Sequence, residues 1–375
     1  MRVYFDNAAT TPIRPEVIET MTEVMTNHFG NPSSIHSEGR TMRAKIEAAR
    51  KTIAEALGAS IGEVFFTSGG TEANNMAIKC AVRDLGVRRI ITSPLEHHCI
   101  LHTVESVEDH QNVKVVFVNI DQKGRIDYDH LEELLQDTSL KTLVSLMHGN
   151  NEIGTMSDMS RISNLCATHQ AYYHSDTVQT IGHFPIDVNK VPIHFISGGA
   201  HKFHGPKGVG FIYINGDAML KPFIDGGAQE RNMRGGTENA YGIIGMAKAL
   251  ELACANMEAY RIKISETRAY LMAQLQANFQ DVQFNGDYDG ETLYTVLSVC
   301  FPLNNRTEMM IMSLDIYGVS ASGGSACSSG AEQGSHVLAA INAPKDRRTV
   351  RFSFSHYNTK EEVDFVIDKL KMIVL

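Results

Sequence analysis

Lys202 stands in SGGAHKFHGPKGVGFIYI, directly after an apolar run and flanked by His201 and His204. A lysine leaving a buried strand is poorly solvated. Desolvation lowers its pKa and makes the amine a usable nucleophile toward an aldehyde; the competing reading is a solvated loop lysine. Asp176, 26 residues earlier, ends the run AYYHSD, so a carboxylate and the amine would leave neighbouring strands at one end of a sheet. An amine that captures an aldehyde, beside a carboxylate that keeps a pyridine nitrogen protonated, is the pairing pyridoxal phosphate (PLP) requires. Taken singly, a strand-end aspartate is also a common turn or helix cap.

Other residues fit around that pair. SGGTEANN is a glycine-rich turn feeding a helix, so the backbone at Gly70 and the hydroxyl of Thr71 could hold a phosphate at a positive helix end; Thr71 could equally be a plain N-cap. His97 follows RIITSPLE, where an imidazole could stack on a flat ring and carry a proton near neutral pH. His97, His98, Cys99 and His102 also admit a metal-site reading, but no matching cysteine pair completes a zinc pattern. Cys327 lies in SASGGSACSSGAEQGSHVL, whose small polar residues predict an accessible loop and a reactive thiol. Arg351 alternates with apolar residues in TVRFSFSH, and a guanidinium is the natural bidentate partner of an α-carboxylate. A salt-bridged structural arginine is the rival account.

These residues need a scaffold. Residues 35–57 place Ile46, Ala49, Ile53 and Leu57 at helical spacing, with Gly58 as the stop. Seven short apolar runs follow: EVFFTS, RIITSP, KVVFVNI, TLVSLMH, AYYHSD, IHFISG and VGFIYI. Continuous apolar strands separated by helix-length connections predict a mostly parallel sheet covered on both faces. Ligands then bind beyond the strands' carboxyl ends, where the polar segments SGGTE, EHHC, HGNNEIG, SDTVQ and GGAHK fall. Residues 242–280 read as one long helical stretch. A smaller α+β unit follows: LYTVLSV, a helix near 307–316, a glycine-rich segment, RTVRFSF and a terminal helix. The expected division is an N-terminal segment, 1–14, packing with the small domain, a large domain, 15–250, and a small domain, 251–375, carrying the Cys327 loop.

The 375 residues, 43% hydrophobic and 21% charged, are ordinary globular composition. A net charge of −9 offers no electrostatic footprint for nonspecific nucleic-acid binding. No apolar run reaches the roughly 20 residues of a membrane span, and the start lacks a signal peptide's apolar stretch. Six scattered cysteines suit a reducing, cytoplasmic setting.

In order along nearly the whole chain, DNAATTP, GNPSSIH, TSGGTEANN, EHHC, NNEIG, DTVQ, HKFHGPKG, RGGTEN, GSACSSG and VRFS resemble the cysteine desulfurases of the NifS/IscS group. The resemblance implies a PLP-dependent fold type I enzyme that converts L-cysteine to L-alanine and a persulfide, acting as a homodimer. It assigns Lys202 to the cofactor's aldehyde, Asp176 to the pyridine nitrogen, His97 to the ring face and Gln179 to the ring oxygen. Thr71 and His201 would hold the phosphate, with Thr237 reaching across from a second subunit. Asn151 and Arg351 would bind the substrate carboxylate, and Cys327 would receive the sulfur. The implied acceptors are an iron–sulfur scaffold or a sulfur-carrier protein. A selenocysteine lyase or another class V PLP enzyme is the nearest alternative. Three departures stand out: Gly199 where the group usually has a serine, SFSH where it often reads SLGR, and an end at Leu375 without the scaffold-docking tail of many IscS-type members.

Overall fold

The computed structural model describes residues 1–323 and 334–375. All seven expected strands form one sheet: β2 (Val64–Thr67), β3 (Arg89–Thr92), β4 (Lys114–Phe117), β5 (Thr142–Ser145), β6 (Tyr172–Asp176), β7 (Phe195–Gly199) and β8 (Gly210–Ile214), after a short N-terminal strand β1 (Val3–Tyr4). Their order is β2-β8-β7-β6-β5-β3-β4. Only β8 runs antiparallel to its neighbours, β2 and β7. This is the expected α/β fold with a mostly parallel sheet.

Both faces are covered. The helices Ser37–Leu57 and Ala240–Ala255 pack on one side with Tyr128–Gln136 and Met159–Thr168, and the helices Gly70–Asp84 and His98–Gln111 pack on the other. The helix expected at 35–57 ends at Gly58, whose φ of 66° is the left-handed conformation that suits glycine. The stretch 242–280 is two helices rather than one, Ala240–Ala255 and Met257–Asn278. Between them Asn256 turns its side chain onto the Leu252 carbonyl, at 2.8 Å. Such local side-chain bonding competes with helix continuation.

The C-terminal unit has its own apolar core around an antiparallel sheet of β9 (Gln283–Asn285), β10 (Val296–Pro302) and β12 (Arg347–Ser353). It also contains the helices Met310–Ile316, His336–Ala340 and Lys360–Val374. β1 pairs in parallel with β11 (Val319–Ser320) of this unit, and Phe5 packs edge-on against Phe352 and Phe354. A buried ion pair fastens the segment before the helix Ala240–Ala255. Glu230 accepts from Arg50 at 2.7 and 3.0 Å and from the Phe66 backbone N–H at 2.7 Å. Among the described residues, no helix is long and apolar enough to cross a membrane.

Candidate active site

The carboxyl ends of the parallel strands supply one cleft of about 230 Å³, lined by Gly70, Thr71, His97, Asn151, Asp176, Gln179, His201, Lys202 and Arg351. Nine of the residues singled out from the sequence thus converge. Gly70 opens the helix that follows β2; His97 caps the helix that follows β3; Asp176 ends β6; Lys202 follows β7 within one turn. Parallel strands make this convergence automatic, because each delivers its following residue to the same edge.

Lys202 Nζ donates to the carbonyls of Ala8 and Ala9 at 2.6 and 2.9 Å, and Gln179 Nε2 donates to Ala8 at 3.0 Å. The DNAATTP segment is therefore a wall of the cleft. Asp176, 6% exposed, accepts from the Val178 N–H and from Asn74 Nδ2. His97 Nδ1 accepts from the Cys99 N–H at 3.1 Å, which leaves the ring proton of the neutral form on Nε2. Burial lowers the pKa of His97; Asp176 opposes the shift and Lys202 adds to it. His201 is pushed down to about 4, first by burial and then by Lys202 and Lys207.

Arg351 is the salt-bridged arginine of the rival account, and it also stands at the cleft. It is 1% exposed and ion-paired to Asp6 at 2.8 Å, with Nη1 donating to the Asn151 carbonyl at 2.9 Å, yet it lines the cleft and its buried Nε has no partner. Thr71 is not the N-cap; Gly69 is, with no side-chain cap bond, which leaves the Thr71 hydroxyl to the cleft. At Gly70 an added Cβ would lie 2.5 Å from Val178 Cγ2, so a side chain here would have to displace Val178 from the cleft wall.

Two candidates fall elsewhere. Gly199 ends β7 beside Gly70 and does not line the cleft. Thr237 lies in a second cleft with Phe66, Arg234 and Asn239. Cys327 lies outside the described residues. His204 turns away to the Pro12 carbonyl at 2.8 Å, and His356 of the SFSH departure stacks on Tyr260 at 4.0 Å rather than entering the site. Conversely, Ala8, Ala9, Asn74, Cys99, Met147 and Val178 line the cleft without having been assigned roles. Their neighbours in the strand-end motifs were the only available signal.

The donor set fits PLP. A lysine, a buried carboxylate, a neutral imidazole and a glycine-built cradle at a helix N-terminus surround one cavity. The fold and site define a PLP-dependent enzyme of fold type I. Residues 3–366 match the aminotransferase class-V family, and the chain belongs to it.

Within that family, the chain is 42% identical to cysteine desulfurase IscS of Dictyoglomus turgidum over 99% of this chain and 94% of that protein. It is 41% identical to putative cysteine desulfurase IscS 1 of Bacillus subtilis over 96% of each. A solved NifS-like protein superposes with a TM-score of 0.92 at 35% identity, covering 100% of this chain and 99% of that one. SspA in complex with cysteine superposes with 0.80 at 31% identity, over 96% and 100%. The resemblance to the NifS/IscS group is borne out over the full length.

Proposed function

We propose that the protein is a cysteine desulfurase, removing sulfur from L-cysteine to give L-alanine and a persulfide on Cys327. The observation that carries this reading is the meeting of Lys202, Asp176, His97 and Arg351 around one cleft, in a chain whose relatives are named cysteine desulfurases.

When bound, PLP supplies an electron sink next to the substrate's α-carbon. The chain's own residues do the rest. Lys202 Nζ would hold the cofactor covalently and serve as the amine that carries a proton. Asp176 would face the pyridine nitrogen, with Gln179 at the ring oxygen and His97 against the ring. Gly70, Thr71 and His201 would cradle the phosphate, with Gly199 behind them. Arg351, with Asn151, would receive the substrate carboxylate. The Cys327 thiolate would attack the substrate sulfur: an S–S bond forms, the C–S bond breaks, and its electron pair passes to carbon, which takes up a proton to become alanine. An acceptor thiol, such as that of an iron–sulfur scaffold or sulfur carrier, would then take the outer sulfur as its own persulfide, the S–S bond breaking to release the Cys327 thiolate.

The placement of Thr237 in a separate cleft supports a homodimer in which it completes the partner's site. The two apolar cores support the division at about residue 250, and Val3 and Phe5 in the second core support an N-terminal segment, 1–14, that packs with the small domain. Five described cysteines without disulfides support a reducing, cytoplasmic setting.

The test is product release from L-cysteine with reductant by the PLP-loaded protein and its Cys327→Ala and Lys202→Ala variants. Equimolar sulfide and alanine, lost in both variants, is expected. Bound PLP with neither product would sink the proposal, and release from selenocysteine alone would move it to the lyase.

A further inference from the structure

Asp176 is the visible end of a longer hydrogen-bonded chain. Its Oδ1 accepts from the Val178 N–H at 2.9 Å and its Oδ2 from Asn74 Nδ2 at 2.7 Å. A carboxylate only accepts, so the amide NH2 of Asn74 is fixed toward it; the second hydrogen meets Cys99 Sγ at 3.3 Å. Asn74 Oδ1 therefore faces the other way, 3.1 Å from His174 Nε2. An amide oxygen has no proton to give, so Nε2 must carry the ring hydrogen and donate it. Nδ1 is then the acceptor, and Ser145 Oγ, 2.9 Å away, donates to it. Ser197 Oγ lies 3.2 Å from the same Nε2 as a secondary neighbour.

The members behind the cleft are sealed from water: His174, Ser145 and Ser197 are 0% exposed, and Asn74, at the cleft wall, 1%. Burial pushes the pKa of His174 down to about 3, so its ring stays neutral at working pH and the direction of the chain is not reversed. In a sealed network each group's orientation depends on its neighbour, since a reversed amide would set its oxygen against a carboxylate oxygen.

We propose that His174, which touches neither the cleft nor a substrate, is a positioning residue that sets the donor face of Asn74 and through it holds Asp176 as the acceptor for the cofactor's ring nitrogen. The inference rests on the PLP reading of the cleft and is independent of which substrate is used.

The test uses the full chain, stripped of PLP and titrated with it while the cofactor's absorbance is followed, for wild type, His174→Phe, His174→Gln and Asn74→Ala. Removing the donor (His174→Phe) or the amide (Asn74→Ala) is expected to weaken PLP binding about tenfold, the worth of one hydrogen bond to a charged group, and to shift the bound absorbance maximum. His174→Gln, which can still donate to Asn74, is expected to stay within about threefold of wild type. Equal affinities and spectra for wild type and the folded His174→Phe would overturn the proposal, as would equal losses in His174→Phe and His174→Gln. If His174→Phe does not fold, the ring nitrogens of wild-type His174, assigned by difference from His174→Gln in 15N-histidine NMR, still decide: hydrogen on Nε2 supports the chain, and hydrogen on Nδ1 overturns it. Loss of PLP affinity in Asn74→Ala alongside a wild type that releases no alanine would sink the desulfurase reading and leave this inference standing.

Discussion

The Asp6 carboxylate, just past β1, accepts from Arg351 Nη2 on β12 at 2.8 Å, joining positions 345 apart in the chain. The same Oδ1 accepts from Ser322 Oγ at 2.8 Å. A guanidinium that is 1% exposed needs this neutralising partner, and the pair holds Arg351 where it lines the cleft. Asp6→Ala should therefore raise KM for L-cysteine about tenfold while kcat falls less, because positioning of the carboxylate is shared by ground and transition states. Arg351→Ala should lower kcat/KM about a hundredfold or more. Steady-state kinetics decides; an Asp6→Ala effect confined to kcat would remove Arg351 from carboxylate binding.

Gly199 is open to a side chain. An added Cβ there meets only ordinary contacts, Gly70 N and Val178 Cγ1 at 3.6 Å, and the backbone, at φ −139° and ψ 119°, is extended. Gly199→Ser should place a hydroxyl beside the cradle and lower the PLP dissociation constant about threefold to tenfold. Weaker binding in the variant, measured by PLP titration, would mean the hydroxyl does not reach the phosphate.

The Arg50–Glu230 pair is stability rather than chemistry. Side-chain exposures of 2% and 3% leave either charge stranded if the other is removed. Glu230→Ala should cost about 3–5 kcal/mol in urea unfolding. A loss below about 1 kcal/mol would show that Arg50 finds another partner, since exposed pairs are worth about that much.

Burial holds His148 down to about 4 and His174 to about 3, against an ordinary 6.5. Between those values the unfolded chain binds protons that the native chain refuses, so stability falls as pH drops from about 6.5 toward 4. The slope should be about 1 kcal/mol per pH unit for each such histidine. Urea midpoints at pH 7, 6 and 5 measure it, and a flat profile would refute the neutral-histidine picture.

Glu96 runs the opposite way. It is 1% exposed, accepts from the Met147 N–H at 2.6 Å, and its other oxygen has no partner. Burial raises its pKa well above 4.5, with Asp176 adding to the shift and the Met147 bond opposing it. The native state keeps a proton that the unfolded state releases, so its contribution is lost as pH rises above 4.5. Glu96→Gln, which needs no proton, should match wild type near pH 4 and be the more stable at pH 8. Equal unfolding free energies at both pH values would mean that Glu96 is ionised in the fold.

What the sequence determined by itself was local and periodic. Seven apolar runs are long enough to be buried strands and too short for helices, so the mostly parallel sheet was legible, and with it the edge where Lys202, Asp176, His97 and Gly70 emerge. The break at Asn256 was not, because a helix survives or ends there by a balance of one side-chain bond against one backbone bond. Nor were the Ala8 and Ala9 carbonyls facing Lys202, the Asp6–Arg351 pair or the Ser145–His174–Asn74–Asp176 chain. Each joins residues tens to hundreds of positions apart, and their partners are chosen by packing: once burial removes water, every donor must find whichever acceptor the fold places beside it. Residue types announce what chemistry is possible; only the tertiary structure decides which of two identical-looking asparagines, Asn74 or Asn75, holds the aspartate.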